Sequence, residues 1–322
     1  MPASPTSARA ADATPAGAGL ARVEPNLRDL MALAGAARRL PPLTPPRRTR
    51  AAGQYLSRRR GRGMEYDESR PYQPGDDIRQ LDWRVTARTG KPHTKLFREE
   101  RERPVFLCID LRPAMFFATR GVFKAVQAAR IASLVGWRAE QSGDRVGALV
   151  FGAGEHHEVA PRRGQTALVR LLKVLVENAE RWRTVAAAAA PTGSALSDTV
   201  ERLRRVAKPG SQIFFISDFR DLDESVCAAL ARLALHTDLA LVGIHDPLEA
   251  AFPVLDGGGA LSDTRETLRL ASIDDAHRAA YAARFEARQE RLRRLCREQG
   301  LPHVAVDTVA DPFGGLVRLL TT

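Results

Sequence analysis

From Pro104 to the C-terminus, the chain alternates short apolar runs with longer segments whose apolar residues recur at helical spacing. The clearest apolar run is "PVFLCIDL" (Pro104–Leu111), which is typical of a parallel strand covered on both faces. Strands and helices that alternate at these lengths form sheets with helices on both sides. The sequence therefore predicts an α/β fold built on a doubly wound, mostly parallel sheet.

The other predicted elements cover most of this region. Further strands are predicted at Asp144–Gly152, His156–Pro161, Ser211–Phe219, Leu239–Asp246, Glu266–Ser272 and His303–Thr308. Helices are predicted at Gly121–Gln141, Gln165–Ala179, Ser194–Ala207, Glu224–Leu235 and Asp274–Gly300.

Acidic residues stand where several of these strands end. Asp110 ends the first strand, Asp218 the fourth, and His245 and Asp246 the fifth. In doubly wound sheets, functional groups gather at the carboxyl ends of the strands. Two neighbouring carboxylates can bind a hard cation such as Mg²⁺. They can equally cap the loops that follow, so the residues alone leave both interpretations open.

The net charge of +11 is concentrated at the N-terminus. Residues 1–62 contain twelve arginines and three acidic residues, which leaves a charge of only +2 for residues 63–322. We therefore treat residues 1–50 as a disordered basic arm with a possible short helix at Asn26–Leu40. Such an arm can bind nucleic acid or an anionic membrane. We favour a solvated arm that covers an acidic patch of its own protein, because Tyr55 is almost the only aromatic residue in the arginine-rich run.

Several function classes lack their sequence signals. The chain has no glycine-rich phosphate loop, no GxSxG nucleophile motif and no metal-type spacing of its three cysteines. His156 and His157 are adjacent and have no further ligand at zinc spacing. No uncharged apolar run is long enough to cross a bilayer, and no signal peptide is evident. Three unpaired cysteines indicate buried thiols in a reducing compartment, so a cytoplasmic protein is predicted.

Residues 51–103 form a segment in which opposite charges balance. Nine acidic and nine basic residues lie between Gly63 and Arg103. Asp76, Asp77 and Asp82 could form the cluster of a metal-dependent hydrolase, with Lys91 or Lys95 nearby. We favour a structural network of paired arginines and carboxylates, because every acid has a matching base. This interpretation predicts that Arg79, Asp82 and Arg88 are paired and that Trp83 is packed.

Within this segment, "RPYQPGDDIRQLDWRVTAR" resembles the signature of the bacterial "domain of unknown function 58" family. The signature positions are Arg70, Tyr72, Gly75, Asp76, Asp77, Arg79, Asp82, Trp83, Ala87 and Arg88. "GKPHTKLFREERERPVFLCID" and "HDPLEAAFP" continue the resemblance, which covers about residues 50–310. It implies a von Willebrand factor A-like domain at residues 104–322, with the signature segment packed against it.

Domains of this type often carry a metal-ion-dependent adhesion site, and the resemblance places its positions on this chain. The first aspartate corresponds to Asp110, the threonine to Ser194 and the late aspartate to Asp218. The two serines of the motif correspond to Arg112 and Ala114. A guanidinium at position 112 can replace the charge of the metal and bind both carboxylates. We therefore predict a degenerate site without a cofactor, and Mg²⁺ binding remains the alternative.

The resemblance also implies a function. Proteins similar to this family often accompany a MoxR-type AAA+ ATPase in the assembly or maturation of client proteins. It implies a non-catalytic adaptor whose contact surface is formed by Asp110, Arg112, Ser194 and Asp218. The alternatives are the hydrolase that uses Asp76, Asp77 and Asp82, and nucleic-acid binding through the basic arm.

Overall fold

The structure is a computed structural model of the 322-residue chain. It describes residues 22–43, 64–73, 76–99, 103–152, 154–188, 196–250, 260–262, 267–269 and 274–321. The chain divides into two compact units. The smaller unit is Arg50–Arg103, and the larger unit combines Met1–Thr49 with Pro104–Thr322.

Two short helices near the N-terminus belong to the larger unit. They are α1 (Leu27–Ala32) and α2 (Ala34–Ala37). Leu30 is buried in the core, and its carbonyl oxygen accepts hydrogen bonds from Ser133 Oγ at 2.7 Å and Trp137 Nε1 at 3.1 Å. The short helix was expected within a separate arm, but these contacts place it in the fold. Residues 1–21 and 44–50 of the predicted arm lie outside the described residues.

The smaller unit is an antiparallel hairpin with a helical insertion. Strand β1 (Met64–Pro71) pairs with β2 (His93–Glu99). Between the two strands lie a 3₁₀ turn (Ile78–Gln80) and helix α3 (Trp83–Thr89). Helix α3 ends at Gly90, whose φ of +67° favours glycine.

The larger unit contains a six-stranded sheet. Its strands are β3 (Val105–Asp110), β4 (Val146–Gly152), β5 (Glu155–Arg162), β6 (Gln212–Ser217), β7 (Asp238–His245) and β10 (His303–Asp307). A separate hairpin consists of β8 (Ala260–Ser262) and β9 (Thr267–Arg269).

The strand order across this sheet is β10-β7-β6-β3-β4-β5, and only the edge strand β5 runs antiparallel to its neighbour. The order reverses between β3 and β6, as it does in doubly wound folds. The prediction of a doubly wound, mostly parallel sheet is confirmed.

Helices cover both faces of the sheet. They are α4 (Lys124–Gln141), α5 (Gln165–Ala188), α6 (Leu196–Val206), α7 (Glu224–Ala234), α8 (Pro247–Ala250), α9 (Asp275–Gln299) and α10 (Pro312–Thr321). Leu107 and Ile109 of β3 pack into a core with α4 and α5, whereas Phe106 and Cys108 pack into a second core with α6 and α7. This alternation explains why every residue of the strand before Asp110 is apolar.

The three cysteines are free, with Cys108 and Cys296 buried and Cys227 partly buried. Burial raises the pKa of the Cys296 thiol to about 12. No helix in the described part of the chain is both long enough and apolar enough to span a membrane.

Candidate functional site

The candidate site lies at the carboxyl ends of β3 and β6, where the strand order reverses. Asp110, the last residue of β3, is fully buried. Its Oδ2 accepts a hydrogen bond from Ser217 Oγ at 2.6 Å, and its Oδ1 accepts one from the backbone N–H of Arg112 at 2.9 Å. The end of β6 and the loop after β3 therefore meet at one carboxylate.

The Arg112 guanidinium fills the space between the two strand-end aspartates. Its Nε and Nη2 donate to Asp110 at 2.8–3.1 Å, and Nη2 lies 3.6 Å from Asp218 Oδ1. Its Nη1 donates to Asp221, and the guanidinium carbon lies 5.8 Å from the centre of the Phe151 ring. Although burial opposes the charged form, the carboxylates, Asp110 first, raise the pKa of Arg112 above its ordinary value.

A second internal cation, Lys124, lies at the start of α4. It is fully buried, and its Nζ lies 2.9 Å from Asp218 Oδ2 and 2.8 Å from Glu249 Oε1. A buried ammonium without partners would carry a large desolvation cost, which two carboxylates offset here. Through these two ion pairs, Lys124 links Asp218, which follows β6, to Glu249, which follows β7.

Asp218 receives charge from both sides. Burial alone would raise its pKa, but the Lys124 ammonium and then the Arg112 guanidinium lower the pKa to about 2. The turn that follows has an unusual backbone, since Phe219 has a φ of +48° although it is not glycine. This turn is stabilised by hydrogen bonds from the Phe219 N–H to Ser217 Oγ at 3.0 Å and from the Arg220 N–H to Asp218 Oδ1 at 3.1 Å.

Two charged residues bring this network to the surface. The side chain of Arg220 is 49% exposed, and its Nη2 donates to Glu249 Oε1 at 2.9 Å. The side chain of Asp221 is 63% exposed and pairs with Arg112. The buried ion pairs therefore extend to two exposed residues of opposite charge, Arg220 and Asp221, which we call the exposed rim.

Asp246, at the end of β7, is held by neutral donors. It accepts hydrogen bonds from the N–H and Oγ1 of Thr119 at 2.8 and 2.6 Å and from Thr308 Oγ1 at 2.9 Å. Burial alone would raise the pKa of Asp246, but the Thr119 hydrogen bonds lower it. Asp246 therefore links three loops, and Glu249, whose Oε2 accepts from the Asp246 N–H, connects it to Lys124.

The residues present do not fit a divalent cation between Asp110 and Asp218. The carboxylates that would bind Mg²⁺ already accept hydrogen bonds from Arg112 and Lys124, and the guanidinium lies between them. Position 114 is an alanine, which supplies no ligand. Among the residues that the structure describes, no group of three His, Cys, Asp or Glu side chains is arranged to hold a metal ion.

Of the four predicted site residues, the structure brings together Asp110, Arg112 and Asp218. Ser194 lies outside the described residues. The expectation that Arg112 hydrogen-bonds both carboxylates is met only for Asp110, since the distance to Asp218 is that of an ion pair.

Sequence reasoning missed Lys124 and Glu249. The available signal was a single lysine in the otherwise apolar start of a helix, "VFKAV", and an acid in "HDPLEA" just after a strand. A lysine in that setting needs a buried carboxylate partner.

The signature segment carries a different arrangement of the same residue types. Asp76 pairs with Arg70 at 2.7 Å and accepts from the Gln73 N–H, whereas Asp77 caps the 3₁₀ turn. Asp82 caps α3, because its Oδ1 accepts from the N–H groups of Arg84 and Val85. The three acids therefore have separate local roles, and this geometry does not support a hydrolase cluster.

Two expectations for this segment were wrong. Trp83 was expected to be packed, but it is 69% exposed. Arg79 and Arg88 were expected to be paired, but both are exposed and form no ion pair with any described residue. The acids that would have paired with them bind backbone N–H groups instead. The described part of the signature also contains Arg70, Tyr72, Asp76 and Asp77, whereas Gly75 lies outside it.

A family model and two relatives match most of this chain. The family model described as "Protein of unknown function DUF58" matches residues 68–291. Uncharacterized proteins Rv1480 of Mycobacterium tuberculosis (strain ATCC 25618 / H37Rv) and Mb1516 of Mycobacterium bovis are each 30% identical over 271 residues, which cover 84% of this chain and 83% of the relative. Among solved structures, the SpRpn10 VWA domain is similar with a TM-score of 0.35 and 10% identity, over 67% of this chain and 93% of that one. The chain belongs to the DUF58 family of proteins of unknown function.

Proposed function

We propose that this protein is a non-catalytic interaction module that binds a protein partner at the carboxyl edge of its sheet. We further propose that the partner is a MoxR-type AAA+ ATPase and that the pair acts in the assembly or maturation of client proteins. The partner is inferred from the family resemblance, whereas the binding surface is inferred from the site.

The observation that supports the proposal is that the carboxylates of the site are already paired with cationic side chains of the same protein. Asp110, Asp218 and Glu249 are bound by Arg112, Lys124 and Arg220. A catalytic carboxylate needs access to substrate, and these three are buried with their oxygens engaged. The arrangement favours a rigid surface rather than a reaction centre.

The exposed rim supplies the groups that a partner can contact. Arg220 and Asp221 are adjacent, have opposite charges and are anchored to the buried network. Side chains that are already fixed lose less conformational entropy on binding. A partner with a complementary acid and base can therefore pair with both residues.

The test is calorimetric titration of the purified protein with the MoxR-type ATPase of the same organism. The double variant Arg220→Ala and Asp221→Ala should weaken binding at least about tenfold, because two anchored charges are lost at the interface centre. The matched control is Glu201→Ala with Arg204→Ala, an exposed ion pair on α6. Its affinity should stay within about twofold of the wild type.

Two results would overturn this proposal. One is the absence of binding by the wild-type protein, which would reject the partner. The other is an equal loss of affinity in both double variants, which would reject the surface. Thermal unfolding of each variant verifies that lost binding does not reflect lost folding.

A further inference from the structure

We infer that the signature segment carries a second protein-binding surface, centred on Trp83 and fitted to an acidic partner. This surface consists of Ile78, Arg79, Trp83, Arg84, Ala87 and Arg88, and we call it the Trp83 surface. All six residues are exposed. The inference does not depend on the function proposed above, since the Trp83 surface and the sheet-edge site belong to different units.

Exposed apolar side chains cluster in this segment. Five large apolar side chains are exposed in the described part of the chain, and two of them, Ile78 at 64% and Trp83 at 69%, are five residues apart. Five residues span at most about 18 Å, which is well within the footprint of a typical interface, about 30 Å across. Single exposed apolar residues are ordinary, but here an isoleucine and a tryptophan are both exposed within six residues of the chain.

The backbone around Trp83 is held firmly. Asp82 is buried, and its Oδ2 accepts a hydrogen bond from Ser69 Oγ at 2.8 Å while its Oδ1 caps α3. The Asp82 N–H donates to the His93 carbonyl at 2.7 Å, and Thr86 Oγ1 accepts from the His93 N–H at 3.0 Å. The N-cap and the middle of α3 are therefore both fixed to His93, the first residue of β2, and the tryptophan is presented from a preorganised position.

The charges around Trp83 indicate the chemistry of the partner. From residue 76 to residue 91, the exposed charged residues are Arg79, Arg84, Arg88 and Lys91, with Asp77 as the single exposed acid. Asp76 is paired with Arg70, and Asp82 is buried. A positively charged patch with an exposed tryptophan matches a partner that offers acidic residues around an apolar pocket, since Trp and Arg dominate the energies of protein interfaces.

A protein partner fits these residues better than a nucleic acid does. Nucleic-acid surfaces without sequence preference use several aromatic rings for base stacking. Here Ile78 cannot stack, and Trp83 is the one large aromatic side chain exposed in the described part of the segment.

The experiment is site-specific photo-crosslinking with the full-length protein in the cells that produce it. Benzoylphenylalanine replaces Trp83 in one strain and Leu235, which is 64% exposed in the larger unit, in the control strain. The Trp83 position should yield an adduct with an acidic protein that the Leu235 position does not yield. The adduct should disappear when Arg84→Glu and Arg88→Glu are introduced together.

The purified crosslinked protein then serves as the probe for calorimetric titration. Trp83→Ala should weaken its binding at least about tenfold, whereas Leu235→Ala should change it less than about twofold. Circular dichroism of each variant verifies the fold. An adduct with RNA, an adduct with a second copy of this chain, identical adducts at both positions, or no adduct would each overturn the inference. These outcomes are separate from ATPase binding by the Arg220 and Asp221 variant, so either proposal can fail alone.

Discussion

The sheet-edge site and the signature segment use the same residue types for opposite purposes. At the sheet edge, Asp218 is buried and bound by Arg112 and Lys124. In the signature segment, Asp77 and Asp82 cap backbone N–H groups, and the nearby arginines remain exposed. The donors within reach decide between the two outcomes, because a buried carboxylate must be paired with a cation or hydrogen-bonded. Asp218 lies beside two cations, whereas Asp82, which is also buried, accepts from Ser69 Oγ and from backbone N–H groups of α3. The first region is therefore a rigid internal network, and the second presents its charges to the surroundings.

The substitution Lys124→Met should reveal the difference between the two regions most strongly, because it changes the free energy of unfolding by the largest amount. It leaves Asp218 and Glu249 buried without their ammonium, so we expect a loss of about 3–5 kcal/mol in the free energy of unfolding. Chemical denaturation at neutral pH measures the loss. The control Lys173→Met, at an exposed position of α5, should cost less than about 0.5 kcal/mol. Equal stability of the Lys124 variant and the wild type would show that the network is not stabilised by this charge.

Acid should weaken the larger unit through Asp218. Its pKa is lowered to about 2 in the folded state from 3.8, so the ionised form stabilises the fold above the unfolded value. That stability should be lost as the pH falls from about 4 through 2, by roughly 2 kcal/mol. Chemical denaturation at a series of pH values measures the slope of the free energy of unfolding against pH. Asp218→Asn should flatten it in this window. A wild-type slope that survives Asp218→Asn would contradict the assignment.

The smallest effect is expected at the cap of α3. Asp82→Ala removes the acceptor for the Arg84 and Val85 N–H groups, so amide exchange in α3 should become about fivefold faster. Hydrogen exchange followed by mass spectrometry measures the exchange rate of α3 separately from the rest of the chain. Asp82→Asn should keep most of the protection of α3 against exchange. If α3 exchanges at the wild-type rate in Asp82→Ala, the carboxylate does not position Trp83.

The sequence predicted the sheet and the pair Asp110 and Asp218 for a clear physical reason. Strands buried on both faces are apolar throughout, and the carboxyl ends of parallel strands meet at one edge of the sheet. Arg112 was predicted to lie between the two carboxylates because the resemblance placed it on a serine position of the adhesion-type motif, two positions after Asp110.

Lys124 could not be assigned in the same way. Its carboxylate partners are 94 and 125 residues away in the sequence, and only the tertiary fold brings them together. The error at Trp83 has a different cause. Counting charges treats an aspartate as the partner of an arginine, although an aspartate that precedes a helix more often binds backbone N–H groups.

Titration of the wild-type protein with Mg²⁺ and Mn²⁺, followed by calorimetry, tests the central claim most directly. If Arg112 and Lys124 supply the positive charge between Asp110, Asp218 and Glu249, neither cation should bind at this site. Stoichiometric binding that disappears in Asp110→Asn would contradict the claim, since it would mean that the carboxylates remain available to a metal.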